Sequence, residues 1–203
     1  MPTIPDNKEG IPLAHYAAVF AAQSGGEIAL RLGLDYAGGF GLTFFNRTLN
    51  VTHPEFALEA SPASNALTNS AARILVLRLL TEGARTPFSG GFLSYREVPW
   101  GETYDRSFDG RCRRRLAGTF GARLSDFSRS AEALGGARVS LGDAGYDLPL
   151  PCGASLRVIL REGDDEFPAS AQFLFSDNTV SLWSAEDLAV LGEVTIRALT
   201  EAN

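Results

Sequence analysis

Residues that bind soft metals are scarce in this sequence. It has two cysteines, Cys112 and Cys152, and two histidines, His15 and His53, among 203 residues. The cysteines form no CxxC pair and cannot supply the four thiolates of a zinc or iron–sulfur site. No apolar run reaches the length of a transmembrane helix, so no membrane association is expected. The opening stretch "MPTIPDNKEGIP" is polar and carries prolines, without the apolar core of a signal peptide. Export is therefore not expected, and a cytoplasmic protein is. Positive charge is also short: 18 Lys+Arg against 24 Asp+Glu leave a net charge of −6. That balance disfavours nucleic acid and anionic lipid as partners. No P-loop, Ser/His/Asp order or dinucleotide fingerprint is present; "GGFGLTF" leads into a strand pattern and not a helix.

What is present describes a globular chain. Hydrophobic residues make up 45% and charged residues 21%, enough to bury a substantial core. No repeat, low-complexity tract or linker divides it, so a single domain over residues 1–203, with a core about 12–200, is expected.

Helical periodicity predicts a first helix over 12–23, with Leu13, Tyr16, Ala17 and Phe20 on one stripe and His15 off it. A second spans 27–33, closed by Gly33. Alternation of Leu42/Phe44 and Leu49/Val51 around Asn46-Arg47 predicts a β-hairpin. Ser61-Pro62 reads as a helix start, and the segment from Ile74 to Leu80 is apolar on nearly every side, as for a central helix. Residues 84–101 read as an irregular stretch rich in Gly, Pro and aromatics.

Helices near 102–118 and 124–134 follow. In the first, Tyr104, Phe108, Cys112 and Leu116 recur every four residues, which places Cys112 on a buried face as a small hydrophobe. Phe120-Gly121 reads as a corner with an aromatic plug. "ASLRVIL" and "SAQFLF" alternate as the arms of a second hairpin. Ser184 and Asp187 make a capping box for a final helix. The fold class expected is α+β: one domain of antiparallel β-hairpins packed with about five or six helices.

Three constellations could carry chemistry. Asp164, Asp165 and Glu166 stand in a row within "GDDEFP", the loop of the second hairpin. Hard cations take such oxygen ligands, and Asp164 and Asp165 are the metal candidates. Neighbours in an extended chain point to opposite sides, however, so a solvated turn is the preferred reading. That reading expects Asp164 to accept backbone N–H bonds, Glu166 to point toward a neighbouring element and Phe167 to plug the core.

The basic run Arg111, Arg113, Arg114 and Arg115 reads as an anion-binding face or a solvated helix surface. Finally, "YREVPWGETY" sets Arg96, Glu97, Trp100 and Tyr104 beside glycines, suited to an anionic or planar ligand. Its structural alternative is a loop with a self-contained Arg96–Glu97 pair. His53, before Pro54, is a lone candidate ligand for a metal or cofactor, or a solvated or capping turn residue.

"REVPWGETY", "AGTFG", "EALGG", "GDDEFPASAQFLF" and "LWSAED", in this order, resemble the family called domain of unknown function 3786, over roughly residues 12–200. The motif residues are Arg96, Glu97, Pro99, Gly101, Asp164, Glu166, Phe167 and Pro168. The resemblance implies a protein of anaerobic bacteria or archaea. Relatives fused to a four-cysteine iron–sulfur module point to corrinoid or redox metabolism. This chain departs from them in having two cysteines, and Trp100 where a small residue is expected.

The resulting expectation is a binding protein for a small ligand or an unidentified cofactor, with Arg96, Glu97, Trp100, Tyr104, Glu166 and His53 as binding residues. The "YREVPWG" loop and the "GDDEFP" hairpin would form its mouth. Two alternatives stand beside it: a metal-dependent enzyme built on Asp164, Asp165 and Glu166, and a domain that docks a protein partner on the Arg111–Arg115 face.

Overall fold

A computed structural model describes residues 10–203; the reading of the opening residues lies outside them. The fold is α+β, as expected. Two helices, α1 (Gly10–Ala22) and α2 (Gly25–Leu32), lead into a three-stranded antiparallel sheet of β1 (Gly39–Phe44), β2 (Arg47–Thr52) and β3 (Leu58–Ser61). The expected hairpin is present: Leu42 pairs with Leu49 and Phe44 with Arg47, so the turn is Phe45-Asn46, one residue earlier than expected.

The helix expected from Ser61-Pro62 starts later. Ser61 still pairs with Thr48 as the end of β3. Two caps follow in succession: Ser64 accepts Leu67 N–H ahead of α3 (Asn65–Thr68), and Asn69 accepts Ala72 N–H ahead of α4 (Ser70–Glu82). A capping side chain with free main-chain donors downstream outweighs a Ser-Pro pair that is still held in a sheet. The α4 helix is central as expected, with Leu75, Val76, Leu77, Leu79 and Leu80 all buried.

The irregular stretch after α4 contains one short strand, β4 (Phe92–Ser94), and a 3₁₀ turn, Tyr95–Glu97. Then comes one long helical run: α5 (Gly101–Phe108), a π turn (Asp109–Arg113) and α6 (Arg114–Phe120). A strict four-residue spacing drifts about 40° per step around an α-helix. A π turn holds more residues per turn and cancels that drift. Phe108, Cys112, Leu116 and Phe120 are consequently all fully buried, while Tyr104, one step earlier, is half exposed.

The α7 helix (Leu124–Ala133) precedes strands that the periodicity reading missed, β5 (Ala137–Val139) and β6 (Ala144–Pro149). With β7 (Ser155–Arg161) and β8 (Ser170–Ser176) they complete a five-stranded antiparallel sheet in the order β4-β8-β7-β6-β5. On its outer face Arg157 forks onto Asp147, its direct cross-strand partner, at 2.7 and 2.8 Å.

The last helix, α8 (Ala185–Glu201), begins at the expected Ser184/Asp187 capping box. Its far end returns a favour in kind, because Glu201 accepts the N–H groups of Asn65 and Ala66 at the start of α3. Phe45 N–H donates to Pro149 O and ties the small sheet to the large one. One contiguous apolar core runs between them. Among the described residues, no helix is long and apolar enough to cross a membrane.

Candidate functional site

The Arg96 loop is held from below. Tyr95 is fully buried, stacks on Phe108 with ring centroids 3.9 Å apart and donates its hydroxyl to Ala185 O at 2.9 Å. Burial, reinforced by nearby Glu186, pushes the Tyr95 hydroxyl pKa up to about 12, so it stays a donor. Glu97 turns back to accept Ser94 N–H at 2.7 Å, closing a capping box. That bond holds its carboxyl below the usual range. The expected Arg96–Glu97 pair does not form, because Glu97 is already used by the turn. Arg96 faces Glu102 instead, at 3.5 Å.

Trp100 takes the left-handed conformation, φ +67°, and its side chain is 80% exposed. Gly101 follows because the backbone is crowded: a Cβ there would lie 1.7 Å from Tyr95 O. A small residue suits position 100 for its backbone conformation, which explains why tryptophan stands out there.

Beside this loop is a cavity of about 310 Å³. Ser94 and Arg96 form one side, Asp105 and Arg113 another, and Ser170–Leu174 of β8 the floor. Arg113 is bound by Asp105 and lies 3.6 Å from Asp109. A smaller space of about 120 Å³ continues along the start of β8, beside Arg114 and Ala117. A larger cavity, about 390 Å³, lies over Gly39, Gly41 and Asn50. It is formed by one hairpin and its lead-in, owes its hollow to missing side chains and has Asp35 as its only charged wall. The cavity at Arg96 joins five elements and carries both signs of charge, which is the better basis for recognition.

The remaining sequence candidates lie apart from it. Trp100, Tyr104 and Glu166 do not line it, nor do Asp164, Asp165 and Phe167. The mouth expected between the Arg96 loop and the acidic hairpin is thus formed by the Arg96 loop and β8 itself. In the hairpin loop, Asp164 Oδ1 accepts Phe167 N–H at 2.7 Å and Glu166 N–H at 2.9 Å. Those bonds lower its pKa, Phe167's first. Asp164 N–H in turn donates to Phe167 O, at 2.8 Å.

Phe167 does not plug the core: it is 67% exposed. The loop is closed by its own main chain and needs no apolar anchor. Ala169 packs instead, since a Cβ on Gly121 would meet its Cβ at 2.3 Å. Glu166 is exposed and reaches no neighbouring element. Among the described residues, no three His, Cys, Asp or Glu side chains converge to hold a metal ion.

His53 is half-buried and caps the end of α1. Its Nε2 meets Gln23 O and its Nδ1 meets the Tyr36 hydroxyl, each at 3.0 Å. A carbonyl can only accept, so Nε2 carries the proton in the neutral ring and Nδ1 accepts from Tyr36. Three of the four arginines of the basic helix are engaged in ion pairs, and Arg115 is exposed. Arg111 binds Glu193 at 2.8 Å and Glu186 at 2.9 Å, and Arg114 binds Asp109 at 2.7 Å.

A family model described as domain of unknown function (DUF3786) matches residues 25–198. The chain belongs to the DUF3786 family. Comparison with curated proteins and with solved structures gives no match. The family match contains the whole Arg96 loop, α5 and β8, so the cavity is built from DUF3786 sequence alone.

Sequence reasoning found Arg96 and missed the rest of this site. Ser94 and the β8 main chain have no side-chain signature to read. Arg113 stood out only as part of a charge run.

Proposed function

We propose that this DUF3786 protein is a binding module for a carboxylate-bearing ligand, held in the cavity between Arg96, α5 and β8. The observation that carries the reading is the state of Arg96. Its ion-pair partner Glu102 is 3.5 Å away and both side chains are mostly exposed, 62% and 81%. Such a pair is weak, and the guanidinium fork is open to a bidentate carboxylate. Arg113 opposite is held by two aspartates and contributes positive field more than free donors.

At about 310 Å³ the cavity sits at the lower end of ligand-pocket sizes. It suits a small acid or a short chain and is too small for a corrinoid macrocycle. Neither histidine lines it, and Asp105 is occupied by Arg113, so its walls hold a ligand without a free general base.

Calorimetric titration with glutarate tests this. Arg96→Gln should weaken binding at least tenfold, and Glu102→Gln, which removes the competing carboxylate, should tighten it. Arg106→Gln, outside the cavity, should leave it unchanged. Equal affinity in wild type and Arg96→Gln would refute the reading.

A further inference from the structure

Half of the strand under this cavity has a partner on one side only. β8 pairs with β7 from Ser170 to Phe175, but β4 covers only Leu174–Ser176. Main-chain groups along an antiparallel strand alternate between its two sides. Asp177 N–H donates to Gly91 O on the β4 side. In the same register Phe175, Phe173 and Ala171 turn their main-chain groups that way. β4 stops at Ser94, opposite Leu174, where the chain enters the Tyr95–Glu97 turn. Beyond that point Phe173 N–H and both main-chain groups of Ala171 face the cavity, with no strand opposite them among the described residues.

We propose that this open edge takes an extended acidic peptide, which adds to β8 as a strand in line with β4 and places a carboxylate on Arg96. The proposal rests on the carboxylate-site reading above and names the ligand class. Ser170–Phe173 offers about 13 Å of edge at roughly 3.3 Å per residue, which matches a short extended segment. The two cavities run end to end along this edge, sharing Arg113, Ser170 and Ala171, so the room has the shape of a chain.

The charge also fits. Arg96, Arg113 and Arg114 line these walls against Asp105 and Asp109, three cations to two anions, on a protein whose net charge is −6. In strand addition the main-chain bonds supply affinity and the flanking side chains select the sequence. Here the arginines select for acid.

The test is an amide-resolved NMR titration of the full chain with four probes: an acidic pentapeptide, the same peptide N-methylated on the amides facing β8, its lysine-for-acid counterpart, and glutarate. The unmodified peptide should shift the Ala171 and Phe173 amides and bind at least tenfold tighter than the methylated one. A lysine-for-acid peptide should not bind. Ala171→Pro removes a donor that the β7 ladder does not use, and should abolish peptide binding with the sheet spectrum retained.

Equal affinity of the methylated peptide, or glutarate binding as tightly as the peptide, would overturn strand addition and leave the carboxylate site standing. No shift in the groove with any probe would overturn both. Concentration-dependent shifts of these amides without peptide would assign the edge to a second copy of the chain and overturn the proposal.

Discussion

Gly192 and Cys112 are in contact across the α8–π-turn interface: a Cβ on Gly192 would lie 2.6 Å from Cys112 Sγ. The π turn brings Cys112 inward, and the glycine in α8 makes room for it. Gly192→Ala should destabilise the fold, because overpacking of about 1–3 kcal/mol exceeds the roughly 1 kcal/mol that alanine gains over glycine in a helix. In a Cys112→Ala background the same change should be neutral or stabilising. Urea midpoints of the four variants give the coupling directly. Simple additivity would mean that the two elements are not in close contact.

The same contact keeps the thiol inert. Burial, with Glu193 nearby, pushes the Cys112 pKa up to about 12, so little thiolate exists at neutral pH. A maleimide should react slowly with Cys112 in the native state and quickly in denaturant. Fast native labelling at this position, assigned by peptide mapping, would contradict the buried face.

Trp100 tests the strain in the Arg96 loop. At φ +67° with an 80% exposed side chain, it loses little burial on truncation. Trp100→Gly should be more stable than Trp100→Ala by about 1 kcal/mol, because only glycine enters the left-handed region without cost. Thermal melts of the two variants decide it; alanine equal to or above glycine would show that the backbone there is relaxed.

The acidic loop gives a paired prediction. Phe167→Ala should change stability by less than about 1 kcal/mol, as for an exposed side chain, where a core aromatic would cost about 3–5 kcal/mol. Asp164 has the lowered pKa, so its bonds to Phe167 and Glu166 N–H persist as pH falls through the usual aspartate range. They are lost only as pH falls through the depressed folded value. Hydrogen-exchange protection at the Glu166 and Phe167 amides, relative to the intrinsic rate at each pH, should fall on acidification and in Asp164→Ala, and not in Asp165→Asn. Equal effects of the two substitutions would place the ordering elsewhere.

These cases also mark what was legible in the sequence. Side-chain periodicity exposed α4, the β1–β2 hairpin and the β7–β8 hairpin, because each buries alternating or helically spaced apolar groups, and the Ser184/Asp187 spacing exposed the cap of α8. The four-residue spacing from Tyr104 to Leu116 held the π turn in view, yet periodicity alone read it as an ordinary helix face. β5 and β6 were missed: Gly145, Asp147 and the prolines obscure the alternation. Phe167 misled because hydrophobicity does not say whether a loop closes through its own main chain. Arg96 was legible as a candidate. Its cavity was not, since half of it is the unpaired edge of β8, and main-chain donors look alike in every residue.

The central claim is that Arg96 and the open edge of β8 form the binding site. An amide chemical-shift map of the full chain with glutarate tests it most directly. The largest shifts should fall on Arg96, Ala171 and Phe173, and should disappear in Arg96→Gln. Shifts centred on Gly39, Gly41 and Asn50, or on His53, or shifts that persist unchanged in Arg96→Gln, would contradict it.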